Sequence, residues 1–149
     1  MKKIVILFIV FLLFISCKKE NISNNQPQKA NQEILGSYYS DDNNYSLEIS
    51  FGKDDYSGDN LRYQFKIKSN KGKEFYENDE DSDYLMLYSE SYENASQFWD
   101  GTIFGGSANI KFENGMYIFN YEFKKEIYNE SDELIDTKTT TINTTFKKK

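Results

Sequence analysis

The chain has 149 residues, with 18 basic and 24 acidic side chains, a net charge of −6, one cysteine and no histidine. Without histidine there is no Ser-His-Asp or Cys-His catalytic arrangement and no histidine metal site. An acidic chain with a single arginine, Arg62, is a poor candidate for nucleic acid, whose binding needs clustered Lys and Arg.

The first element is an apolar segment. Lys2 and Lys3 precede twelve consecutive apolar residues, Ile4 to Ile15. A helix that crosses the hydrocarbon core needs about 20, so this run has the length of a signal-peptide core instead. Ser16, a small residue, and then Cys17 follow. In the series Phe14, Ile15, Ser16, Cys17 the chain resembles bacterial lipoproteins, which carry an apolar residue three before the cysteine and a small one just before it. Phe14 stands where the usual residue is Leu.

The resemblance implies cleavage before Cys17 and diacylation of its thiol, with palmitate-type chains holding the protein on a membrane. Two acyl chains give stable anchoring where one gives only marginal binding. Lys18, rather than Asp, follows the cysteine, which by the same resemblance points to the outer membrane. With Cys17 acylated the mature chain has no thiol, hence no disulfide and no cysteine metal ligand. Removing residues 1–16, which hold two lysines and no acids, moves the net charge from −6 to −8. Such a chain is expected to be soluble beyond its anchor and to suit a cationic protein partner.

Residues 17–33 carry the only proline and almost no large apolar side chain. They read as the lipidated cysteine and a flexible tether. Residues 34–149 read as one domain, beginning at Ile34-Leu35-Gly36. Within it the dominant period is two. Tyr45, Leu47, Ile49 and Phe51 alternate with polar residues, as do Leu61, Tyr63, Phe65 and Ile67, which predicts two strands joined across residues 52–60. A turn over 69–73 leads to a short strand near Glu74–Asn78, then to an acidic loop at 79–83. Tyr84–Ser89 is apolar on both faces and predicts a covered strand.

Residues 90–97 are polar, and Phe98–Phe104 predicts a strand, with Trp99 and Ile103 on one face, that Gly105-Gly106 breaks or bulges. Asn114-Gly115 between alternating runs is the strongest hairpin cue. A two-residue turn there pairs Phe112 with Tyr117, Ile110 with Phe119 and Ala108 with Tyr121, all on one face. A long strand runs to about Tyr128, "NESDE" turns, and the Thr-rich run Leu134–Phe146 returns, leaving Lys147–Lys149 as a frayed tail.

The mature domain shows no helical period, so the prediction is all-β. The expected form is an antiparallel meander of about eight strands, closed or partly open as a small barrel, with a β-sandwich as the alternative. "LGSYYS" followed by such a meander resembles lipocalin-like and lysozyme-inhibitor-like lipoproteins in pattern rather than in motif. The expected protein is therefore a non-enzymatic, cofactor-free envelope lipoprotein that binds a protein partner, inhibitor-like or immunity-like. Its acidic segments Asp54–Asp59 and Glu77–Asp83 would do the steering. The alternative is a lipocalin-like carrier of a small apolar ligand, with Trp99 and the tyrosine-rich strands lining its cavity.

One metal arrangement is worth testing. Asp79, Asp81, Asp83 and Glu90 occupy positions 1, 3, 5 and 12 of a calcium loop, but Tyr84 stands where the sharp turn needs Gly and no helices flank it. A solvated acidic turn is the simpler expectation.

Overall fold

The structure, a computed structural model, describes residues 29–53, 61–100 and 104–149. The apolar segment, Cys17, most of the expected tether and the acidic stretch Asp54–Asp59 lie outside the described residues. The strands in chain order are β1 Gly36–Ser40, β2 Tyr45–Lys53, β3 Leu61–Ser69, β4 Phe75–Glu77, β5 Glu80–Ser82, β6 Tyr84–Ser89, β7 Asn94–Asp100, β8 Phe104–Glu113, β9 Met116–Tyr128 and β10 Leu134–Lys148. Eight of them form one antiparallel sheet in the order β6-β3-β2-β1-β10-β9-β8-β7, and β4 with β5 forms a separate small sheet.

The sheet is an up-and-down barrel that is nearly closed. Chain neighbours are sheet neighbours from β1 to β3 and from β7 to β10, the first strand pairs with the last, and β4–β5 is an excursion between β3 and β6. β6 and β7 approach each other without forming a ladder, which leaves one unsealed seam. The all-β meander and the barrel are as the alternation predicts, and the sandwich is not adopted.

Period-two alternation fills the interior. Tyr45, Leu47 and Ile49, then Tyr63, Phe65 and Ile67, then Tyr117, Phe119, Tyr121 and Phe123 are all buried on the inner face. Leu85 and Leu87 join them, while Tyr84, Met86 and Tyr88 on the other face of β6 are half-buried. Each fully buried Leu, Ile or Phe contributes about 1.5–3 kcal/mol relative to exposure. The register is the one the turn demands: Phe112↔Tyr117, Ile110↔Phe119 and Ala108↔Tyr121. Asn114 and Gly115 have φ of 53° and 78°, the two left-handed residues of a type I′ turn.

Four local expectations are corrected. The strand expected at Phe98–Phe104 is placed differently: β7 starts earlier, at Asn94, ends at Asp100 and pairs with β8 from Asn94↔Lys111 to Asp100↔Gly105, while Phe104 belongs to β8 and 101–103 lie outside the described residues. Gly105-Gly106 neither breaks nor bulges the strand, because the register is unshifted there on both sides. Residues 79–83 are not a loop, since Glu80–Ser82 is a strand paired with Phe75–Glu77. The terminal lysines are not frayed: Lys147 pairs with Tyr39 and Lys148 with Tyr38, and the Lys148 ammonium donates to the carbonyls of Glu33 (2.7 Å) and Leu35 (3.3 Å).

The N-terminal segment closes one end of the barrel. The Asn31 backbone N–H donates to the Tyr63 hydroxyl (2.8 Å), and the Tyr38 hydroxyl donates to the Ile34 carbonyl (2.6 Å), so Ile34 sits buried above the core. Because the strands alternate in direction from β1 onward, β3 delivers the chain to the opposite end, where the β4–β5 excursion lies. The end where the chain enters and the end that carries β4–β5 are therefore opposed.

Candidate functional site

The far end of the barrel is organised by the β4–β5 hairpin. Asn78 and Asp79, with φ of 50° and 64°, form its two-residue turn. Short polar side chains tolerate that left-handed conformation. Phe75 points into the barrel and meets Tyr121 edge-on at 5.3 Å and Phe119 at 6.3 Å. Tyr76 stacks on Phe123, with centroids 4.8 Å apart and planes 13° from parallel, and its N–H donates to the Tyr121 hydroxyl (3.1 Å). Lys125 lies over the Tyr76 ring at 5.2 Å and pairs with Asp81 at 3.1 Å. The hairpin is thus fixed across the barrel mouth by rings below and a lysine beside it.

This anchoring presents carboxylates outward. Asp79, Glu80 and Asp81 are exposed. Burial, together with the charges of Asp79, Asp81 and Glu80, pushes the Tyr76 hydroxyl up. Glu77 is drawn inward: its carboxylate accepts from the Met86 N–H at 3.4 Å, and burial pushes its carboxyl up despite that bond. At the base of the hairpin, burial raises Glu74, but hydrogen bonds from Ser69, Lys71 and Tyr45 outweigh it and hold the carboxyl below its usual range.

A second acidic element shares this end and was read in the sequence only as a turn. The β9–β10 connection carries Glu130, Asp132 and Glu133. It is held by Asn129, whose side-chain oxygen accepts from the N–H groups of Ser131 (2.9 Å) and Glu133 (3.0 Å). Beside it Tyr128, Leu134 and Ile135 are exposed, Ile135 at 61%. The run "NESDE" followed by "LI" is the sequence signal, since an acidic turn flanked by apolar residues with no core partner marks an exposed tip.

The four residues of the calcium pattern do not converge. Asp81 pairs with Lys125, and Asp83 lies 3.8 Å from the Lys68 ammonium. Glu90 follows the last residue of β6 while Asp83 precedes the first, which puts them about 20 Å apart at 3.3 Å per strand residue. Among the described residues no group of three or more acids is placed to hold a metal ion.

Among the described residues the middle layer of the barrel is tightly packed. Leu47, Phe65, Ile67, Leu85, Leu87, Tyr117, Phe119 and Phe146 have no accessible surface, so no water-sized space adjoins them. In this layer the barrel is of the kind filled by its own side chains. The backbone of Trp99 pairs with Gly106.

Comparisons with known protein families, curated proteins and solved structures return no match to this chain. The structure defines a class of fold: a small antiparallel β-barrel with one open seam and an acidic hairpin across the end opposite the entering chain.

Proposed function

We propose that this is a lipid-anchored lipoprotein of the bacterial envelope, non-enzymatic, held in the outer membrane through acyl chains on Cys17, whose barrel binds a cationic protein partner. The observation that carries the reading is the polarity of the barrel. The described chain enters at one end, at Asn31, while the exposed carboxylates of Asp79, Glu80 and Asp81 stand at the other, joined by Glu130 and Asp132. An anchor upstream of the entry end leaves the opposite, acidic end free to meet a partner. Acidic groups there raise the encounter rate with a basic protein and do so less at high salt. The packed middle layer supports a surface interaction rather than an internal ligand.

Two measurements test this. Cells fed radiolabelled palmitate should label the wild-type protein and not Cys17→Ser; an unlabelled wild type removes the anchor. The purified protein should bind a basic envelope-active protein, with lysozyme as probe, at low ionic strength. The double substitution Asp79→Lys, Glu80→Lys should weaken that binding. Equal binding by both forms, or none at low salt, removes the acidic end as the docking surface. Native mass spectrometry that finds a retained apolar small molecule would instead favour the carrier alternative.

A further inference from the structure

β10 is fifteen residues long and β1 is five. They pair only through Tyr38↔Lys148, Tyr39↔Lys147 and Ser40↔Phe146. Leu134–Thr145 is therefore paired to β9 on one side and, among the described residues, to no strand on the other. At 3.3 Å per residue this is about 40 Å of open edge. The open edges of β6 and β7 lie beside each other across the seam; that of β10 has no such neighbour among the described strands.

Proteins usually blunt such an edge with proline, with several lysines or with bulges. Here the only irregularity lies at the tip, between Leu134 and Asp136, and the register from Thr137 to Phe146 is unbroken. The stretch contains no proline and one lysine, Lys138. Six threonines, at 137, 139, 140, 141, 144 and 145, favour the extended strand. The edge is long, regular in register from Thr137 onward and able to accept another strand.

A depression of about 460 Å³ opens on the outer surface where β1 stops, lined by Asp41, Asp42, Ile118, Asn120, Asn143, Thr144 and Thr145. Its lip is anionic. Asp42 is exposed, and its carboxylate accepts from the Ser40 hydroxyl (2.6 Å) and the Asn44 N–H (3.0 Å). Those bonds, the Ser40 one foremost, hold its carboxyl below the usual range, so it stays charged. Asp41 beside it is exposed and reaches Lys147 at 3.0 Å. A strand laid along β10 would pass this lip, and a lysine on it would find Asp42.

We propose that the open edge of β10, Leu134–Thr145, is a strand-addition site for an extended, lysine-bearing segment of a partner protein, with a lysine seated at Asp41 and Asp42. Main-chain hydrogen bonds supply the affinity and the acidic depression fixes the register. A second copy of this chain is disfavoured as the occupant because both copies are acidic. The inference rests on the cationic-partner reading for the sign of the occupant's charge, but it places contact along the side of the barrel rather than at its acidic end.

The test is hydrogen–deuterium exchange of the full chain in detergent micelles, with a ten-residue alternating Lys-Thr peptide as probe. The peptide should slow exchange across Leu134–Thr145 by about tenfold, as strand pairing does for an open edge. The same peptide N-methylated at every residue, which keeps the charge but can donate no ladder hydrogen bond on either edge, should have no effect. A Glu-Thr peptide should also have none, and the double substitution Asp41→Asn, Asp42→Asn should weaken the Lys-Thr effect several-fold. Protection confined to the β4–β5 hairpin would overturn the edge site and leave the cationic-partner reading standing. Protection by the N-methylated or the Glu-Thr peptide would overturn it through the ladder or the charge. No protection by any peptide, or protection of the edge that rises with protein concentration alone, would overturn it as well.

Discussion

The Tyr121 hydroxyl on β9 accepts a hydrogen bond from the Tyr76 backbone N–H on β4, 45 residues away in the chain, at 3.1 Å. Both groups are buried, and this bond joins the small sheet to the barrel wall. A three-residue strand cannot hold itself in place, so the acidic hairpin depends on this bond and on Phe75. Tyr121→Phe leaves the Tyr76 N–H buried without that acceptor, which costs about 1–3 kcal/mol. Urea unfolding should show the loss, and the Tyr76 amide should exchange faster than in wild type. Unchanged exchange at Tyr76 would show that the hairpin is held by the rings alone.

Tyr117 offers the opposite case on the same strand. Its ring is fully buried against Tyr38 at 5.2 Å and Phe112 at 5.0 Å, but among the described residues its hydroxyl has no hydrogen-bond partner. Burial pushes that hydroxyl far up, so it is neutral and unsatisfied. Tyr117→Phe keeps the ring and removes the orphan, so stability should be unchanged or rise by about 1 kcal/mol. The urea midpoint should fall for Tyr121→Phe and hold or rise for Tyr117→Phe; a loss on both would mean the Tyr117 hydroxyl has a partner in solution.

Gly106 is required for space. A β-carbon built there would lie 2.6 Å from the Phe123 ring and 2.9 Å from the Glu122 carbonyl, while one at Gly105 meets nothing within 4 Å. Phe123 cannot move freely because Tyr76 is stacked on it. Gly106→Ala should cost about 1–3 kcal/mol, as overpacking does, and Gly105→Ala should be neutral or slightly stabilising. Thermal unfolding of the pair decides this, and equal melting temperatures would disprove the close approach.

These positions show what was legible in the sequence. The barrel wall was, because alternation over seven or more residues and the Asn114-Gly115 turn each specify register and agree. The β4–β5 hairpin was only half legible. Its strands are too short to show a period, and the same turn chemistry at Asn78-Asp79 was hidden in a run of acids. Gly105-Gly106 reads as a break or a bulge because a glycine in a sequence does not say whether its missing side chain frees the backbone or admits a neighbour's ring. The β1–β10 pairing joins residues about a hundred positions apart, so no local signal could report that the terminal lysines are held or that β10 outruns its neighbour. Within the candidate site, Asp79 and Asp81 were found as acids, but Lys125, which pairs with Asp81, lies on a distant strand.

Glu77 gives the hairpin a pH dependence. Burial raises its carboxyl above the ordinary 4.5, with the Met86 N–H opposing in part. A carboxyl raised in the folded state binds its proton more tightly folded than unfolded. Its favourable contribution is therefore fully present below the unfolded value and is lost as pH rises through the folded one. Around neutral pH the wild type carries a partly buried charge, whereas Glu77→Gln carries a neutral amide whose oxygen can still accept from Met86. The variant should be more stable than wild type around pH 7, and the two should converge near pH 4, where both side chains are neutral. The other carboxylates are common to both proteins and cancel in the difference. Paired urea titrations at the two pH values make the measurement. A variant less stable at neutral pH would mean that the Glu77 charge is held by a cation at the hairpin rather than penalised by burial.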